Sequence, residues 1–159
     1  MIAIDNEIAV AAPPSKVWQL LADLPRYRSW HPFIRLTGKA ELGAELDYEY
    51  TSILRTKRVR HSPARITRFE PGQALEWTMG IGSFFVQVER YELARHPLGT
   101  RLRHCVEYRG LVSILFRGAS SSAAHARMCE ADDAIRTHLA GKNTPPRPQS
   151  PPRRGQRRR

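Results

Sequence analysis

The hydrophobic positions of this chain alternate with a period of two through most of its length and switch to helical spacing near its end. Ile2, Ile4, Ile8 and Val10 alternate with Ala3, Asp5, Glu7 and Ala9, the pattern of a strand with one buried face. Ala12-Pro13-Pro14-Ser15 ends it. Val17, Leu20, Leu21 and Leu24 then form the inner face of a helix that tolerates proline in its first turn. Only a short second helix fits before Pro32, which closes it. Strands follow at Phe33 to Thr37, Leu46 to Leu54, Arg58 to Phe69, Ala74 to Met79, Phe84 to Leu93 and Thr100 to Tyr108. Leu46, Tyr48, Tyr50, Ser52 and Leu54 share one face, and Pro63 implies an edge or a bulge. Glu70-Pro71-Gly72-Gln73 reads as a turn, Gly80-Ile81-Gly82 as a sheet corner or rim, and His96-Pro97-Leu98-Gly99 as a hairpin loop.

Leu111 to Leu139 reads as one long helix. Leu115, Ala119, Ala123 or Ala124, Met128, Ala131, Ile135 and Leu139 make an apolar stripe. Gly110 precedes it, and Gly141 reads as its stop. The other face carries Arg117, His125, Arg127, Glu130, Asp133, Arg136 and His138. The run from Ala119 to Ala124 holds only Ala and Ser, which suits either close packing on a sheet or the wall of a cavity. One strand, two short helices, about six strands and a long helix give the α+β class, with a curved antiparallel sheet folded around the terminal helix.

The hairpin sets a register. With His96 to Gly99 as the loop, Arg95 faces Thr100, Leu93 faces Leu102, Tyr91 faces His104 and Glu89 faces Val106. Glu89 and His104 then become diagonal neighbours on the inner side, where a carboxylate needs a partner. They are the candidate polar pair, able to orient a ligand or to act as acid and base. A shift of one residue would instead turn Glu89 to water. Tyr48, Tyr50, Trp77, Met79, Phe85 and Tyr91 are the candidate ligand-lining residues, with plain core packing as the alternative for each.

Composition adds exclusions. The chain of 159 residues is 41% apolar, enough for one domain with a core, and no apolar run reaches membrane-span length. The start lacks a basic segment followed by an apolar one, so no signal peptide is expected. Cys105 and Cys129 are too few for a disulfide framework and read as buried, reduced thiols of a cytoplasmic protein. The net charge is +11, but seven positives lie beyond Gly141 without an acid, leaving the body at +4. That Pro/Arg-rich stretch, residues 141–159, is expected to be a disordered basic tail, able at most to make weak contact with nucleic acid or an acidic partner. His31 and His61 lack a recognisable partner, and no His or Cys spacing suits a metal, so neither metal nor cofactor is expected. Ser120-Ser121-Ser122 lacks the setting of a nucleophilic serine.

Ile8 to Ile34, with its Ala-Pro-Pro-Ser-Lys-Val-Trp and Tyr-Arg-Ser-Trp-His-Pro segments, resembles the opening of the START / birch-pollen-allergen (SRPBCC) superfamily. Ile66 to Trp77 and Gly99 to Gly110 resemble it too, and the polyketide cyclase/dehydrase-like bacterial members are most similar. The resemblance spans residues 1–140. It implies a helix-grip fold, a seven-stranded curved antiparallel sheet wrapped around a long C-terminal helix, with two short helices after the first strand. It also implies a cavity between sheet and helix, with the segment containing Trp30 framing its mouth, which adds Trp30 to the ligand-lining candidates. Many close relatives carry a His at the position of Glu89 and a Glu at that of Val106, a pair from which this chain departs. The implied function is binding of a hydrophobic or amphipathic small molecule, aromatic, polyketide-like or lipid-like, by a monomer or homodimer. Two alternatives stay open: a cyclase/dehydrase-type enzyme, and an interaction protein using its Arg-rich tail.

Overall fold

Seven antiparallel strands and a terminal helix account for most of the chain. The computed structural model describes residues 1–51, 58–111, 113 and 118–142. The strands are β1 (Ile2–Val10), β2 (Ile34–Thr37), β3 (Glu45–Thr51), β4 (Val59–Glu70), β5 (Ala74–Ile81), β6 (Phe85–His96) and β7 (Gly99–Arg109). They form one sheet in the order β1-β7-β6-β5-β4-β3-β2. Helix α1 (Pro14–Ala22), a 3-10 turn (Leu24–Arg26) and the one-turn helix α2 (Tyr27–Trp30) link β1 to β2, and α3 (Ala119–Lys142) follows β7. This is the expected helix-grip arrangement.

Local chemistry explains the breaks. Pro14 occupies the first turn of α1, where its missing N–H is no loss. Pro63 pairs with Asp47 of β3, while the β5 ladder begins only at Ala64–Met79, so the proline sits where β4 has a free edge. The bulge lies further on, between Ile66 and Arg68. The β6–β7 register is the one expected, with Leu93 opposite Leu102, Tyr91 opposite His104 and Glu89 opposite Val106. The β5–β6 turn closes tightly at Gly80, where φ is +147° and a Cβ would overlap the Phe85 carbonyl, so β5 runs through this glycine instead of ending before it.

The long helix is shorter than its sequence suggests. It starts at Ala119 because Gly118 stands at φ +63°, outside the helical region. Leu115 and Arg117 of the expected helix lie outside the described residues, as do Ser52 and Leu54 of the expected strand and the tail beyond Lys142. Gly141 is part of the helix and does not cap it.

The helix's inner face is Ala124, Met128, Ala131, Asp132, Ile135 and Leu139. Two apolar clusters meet it. Val10, Leu20, Leu21, Leu24, Trp77, Tyr91, Leu93 and Leu102 pack with Ile135 and Leu139 at its C-terminal end. Ile4, Val106 and Tyr108 pack with Ala124 and Met128 nearer its start. The opposite face of the sheet is a lattice of cross-strand ion pairs, such as Arg68–Glu92, Arg90–Glu76 and Arg103–Asp5, each worth little by itself in water.

Ile135 is fully buried, whereas Ala123 is exposed on the same helix. Ile135→Ala should lower the unfolding free energy by about 2–5 kcal/mol, and Ala123→Ser should stay within about 0.5 kcal/mol. Urea unfolding followed by tryptophan fluorescence measures both, and equal losses would mean a helix turned about its axis.

Candidate functional site

Between the two apolar clusters lies a layer of polar side chains. Even-numbered residues of β1 point inward, and Asn6 interrupts Ile4 and Ile8 on that face. His104 takes the same place between Leu102 and Val106 of β7, and Glu89 lies diagonally across from it on β6. Asp132 enters from α3, one residue past Ala131. The four connect. Asn6 donates through Nδ2 to Asp132 Oδ2 at 2.7 Å. His104 Nδ1 lies 2.8 Å from Asp132 Oδ1, and its Nε2 lies 3.3 Å from Glu89 Oε1. Tyr48 donates its hydroxyl to Glu89 Oε2 at 3.1 Å, with the Gln87 amide at 3.5 Å from the same oxygen.

Asp132, His104 and Glu89 are 1%, 2% and 5% exposed. Burial alone would depress the His104 imidazole, but hydrogen bonds to Asp132 and Glu89, and their charges, hold it up at about 9. The ring is therefore a cation at neutral pH, clamped between two carboxyl groups, with Tyr91 stacked on it at 4.1 Å between centroids. Burial, then the nearby Glu89, pushes the Tyr48 phenol well up, so it stays a donor.

The polar layer forms one wall of a cavity of about 470 Å³. Ile4, Met79, Phe85, Val106, Tyr108 and Met128 are among its apolar lining, and Glu89, His104, Gln87, Tyr48, His31, Arg60 and Arg127 among its polar lining. Ser120, Ala124 and Ala131 line it from α3, so part of the small-residue run is cavity wall. A broader depression of about 910 Å³ around Pro13, Gly72 and Leu98 has no buried polar side chain.

Among the expected lining residues, Tyr48, Tyr50, Met79 and Phe85 border this cavity. Trp77, Tyr91 and Trp30 do not: they are packed into the core, Trp77 between Tyr48 and Tyr91, Trp30 against Tyr27. Trp18 packs on Phe69. Glu89 and His104 meet as the register required.

Several expectations change. His31 is partnered: its Nδ1 accepts the backbone N–H of Phe33 and of Ile34. His61 pairs with Asp47 at the surface. Arg127, read as outer-face, is half-buried, with its guanidinium 3.9 Å over the Phe33 ring and a hydrogen bond to the Thr51 carbonyl at 2.8 Å. Cys105 and Cys129 are unpaired but partly exposed, not buried. The sequence reading missed Asp132 and Asn6; the signal available was a polar residue at an apolar phase, Asn6 in β1 and Asp132 beside Ala131. Among the described residues, no cluster of three or more His, Cys, Asp or Glu is arranged to hold a metal ion.

The family model described as polyketide cyclase / dehydrase and lipid transport matches residues 1–140. None of the curated proteins matches. Among solved structures, TTHA0849 from Thermus thermophilus is similar at 11% identity and a TM-score of 0.71, covering 90% of this chain and 100% of that one. The di-domain ARO/CYC StfQ from the steffimycin biosynthetic pathway is similar at 12% identity and a TM-score of 0.62, over 88% of this chain and 52% of that one. Ara h 8.0201 is similar at 11% identity and a TM-score of 0.64, over 88% and 98%. At such identities the likeness is one of fold.

The His104 cation has a consequence for stability. Its folded value of about 9 lies above the ordinary 6.5, so its contribution is complete below pH 6.5 and is lost as pH rises through 9. Stability should fall by about 3 kcal/mol across that window. In His104→Gln the protein should be less stable at pH 6.5 and its stability nearly flat from pH 6.5 to 9. Denaturant unfolding at a series of pH values tests this, and parallel curves for the two proteins would refute it.

Proposed function

The chain belongs to the polyketide cyclase / dehydrase and lipid transport family, and from that membership we propose that it binds a hydrophobic or amphipathic small molecule between the sheet and α3. The observation that carries this reading is an apolar cavity of about 470 Å³ with one wall made of a connected polar chain. That volume and composition suit an aromatic, polyketide-like or lipid-like guest. Glu89 gives the guest an orientation. A carboxylate offers about four acceptor positions, and His104, Tyr48 and Gln87 occupy three here. The remaining one faces a hydroxyl or amide donor on the guest. His104, Asp132 and Asn6 hold that carboxylate still, so the guest meets a fixed acceptor and not a mobile one.

A second reading is turnover of the cyclase or dehydrase type, favoured by the contact between Glu89, His104 and Tyr48 on the cavity wall. In it, Glu89 takes a proton from the guest, Tyr48 leaves the newly protonated Glu89 and turns its one hydroxyl proton to the developing oxyanion, and the cavity holds the chain folded. Glu89→Gln separates the two readings: loss of turnover of a polyketide-like substrate with binding retained selects the enzyme.

Ala124→Trp places an indole in the cavity from α3, about two helical turns from Asp132, and Ala126→Trp adds the same ring on the exposed face. Binding of 1-anilinonaphthalene-8-sulfonate should weaken by about tenfold or more in the first and stay unchanged in the second. Equal affinity in both variants would remove the cavity from the account.

A further inference from the structure

Resting on the reading of this cavity as a ligand site, we propose that His31 is its second recognition point, a hydrogen-bond donor set to receive a neutral acceptor oxygen, such as a ketone or ester carbonyl, of the bound molecule. His31 is 7% exposed, and its ring borders the cavity. Its Nδ1 accepts two backbone N–H groups, from Phe33 and Ile34, each at 3.1 Å. The lone pair is therefore on Nδ1 and the proton on Nε2. That Nε2–H is buried and has no hydrogen-bond partner among the described residues.

The ring cannot turn to find one. The two backbone bonds hold it from one side, and Tyr27, Trp30 and Phe33 surround it at 5.8, 5.1 and 6.3 Å between centroids. None of these is bonded to it: the Tyr27 hydroxyl donates to the Leu21 carbonyl, and the Trp30 indole N–H is itself a buried donor without a partner among the described residues. Burial, then the positive charges of His104, Arg127 and Arg35, keeps the His31 imidazole well below its usual range and hence neutral. A buried donor left unpaired is costly, and a guest oxygen removes that cost.

The acceptor is neutral for an electrostatic reason. Glu89 and Asp132 already place two carboxyl groups in this interior against one imidazolium, and a third carboxylate would be buried beside them. Of the two arginines in the lining, Arg127 is engaged with the Phe33 ring and the Thr51 carbonyl, and Arg60 is solvent-exposed. The two ends of the site thus differ in kind. Glu89 asks the guest for a donor and His31 asks it for an acceptor, which selects a molecule carrying hydroxyl and carbonyl groups and fixes which way round it lies.

The test compares 6-acetyl-2-naphthol with 6-ethyl-2-naphthol, in which a methylene replaces the carbonyl, by fluorescence titration of the full chain. The ketone should bind about tenfold more tightly, and the difference should shrink below about twofold in His31→Phe. Because that variant also removes an acceptor from two backbone N–H groups, the unsubstituted protein supplies a second readout. The His31 Nε2 resonance in long-range proton–nitrogen NMR should move with the ketone and stay in place with the ethyl compound. Equal affinities, or a ketone bound with that resonance unmoved, would overturn the proposal while leaving the cavity as a ligand site. So would decanoate bound more tightly than the ketone, dependent on Arg127 or Arg60 and not on His31. If neither naphthol nor 1-anilinonaphthalene-8-sulfonate binds, the ligand-site reading itself falls, and this proposal with it.

Discussion

A buried cation between two carboxyl groups is the constraint on which the rest of this structure turns. His104 ties β7 to α3 through Asp132 and to β6 through Glu89, and Asn6 draws β1 into the same chain. Any one of these groups buried without the others would be strongly unfavourable. Together they satisfy one another, and their bond lengths set where the helix stands relative to the sheet. A displacement along this hydrogen-bonded ionic chain would leave buried polar groups unsatisfied, a cost added to that of disturbing the apolar packing.

That chain also explains why the interior is divided. On one side Ile135 and Leu139 settle against a dense cluster holding Trp77, Tyr91 and the α1 leucines. On the other, α3 presents Ala124, Ala131 and Ser120, whose side chains are too short to fill the space before β5, β6 and β7. The helix is held at the polar layer and packed beyond it, so the gap beside its first turns stays open. The cavity thus follows from a fixed helix with small residues at its start.

Much of this was legible in the residues. Period-two alternation and the hairpin loop read at His96 to Gly99 were enough to set the β6–β7 register and to bring Glu89 next to His104. Asp132 was not legible, because a lone acid near a helical stripe is ordinarily solvated, and its partner lies 28 residues away on another element. The start of α3 was misread because the apolar residues after Gly110 continue a helical spacing that Gly118 breaks through its backbone angle. The aromatic residues divided for a similar reason. Tyr48 and Tyr50 border the cavity and Trp77 does not, a distinction that depends on the helix's distance from each strand and not on strand phase. His31 seemed to lack a partner because its partners are backbone N–H groups two and three residues ahead, which no side-chain pattern reveals.

The same features join fold to function. On the proposed reading, a guest in the cavity would meet a carboxylate held in place by the group that anchors the helix, which would make anchoring and recognition one device. Both depend on the charge of that anchor. Nitrogen-15 NMR of the His104 ring across pH reads it directly. Both ring nitrogens should be protonated at pH 7.5, with the proton lost near 9. A neutral ring at pH 7.5, titrating at or below the ordinary histidine value, would contradict this.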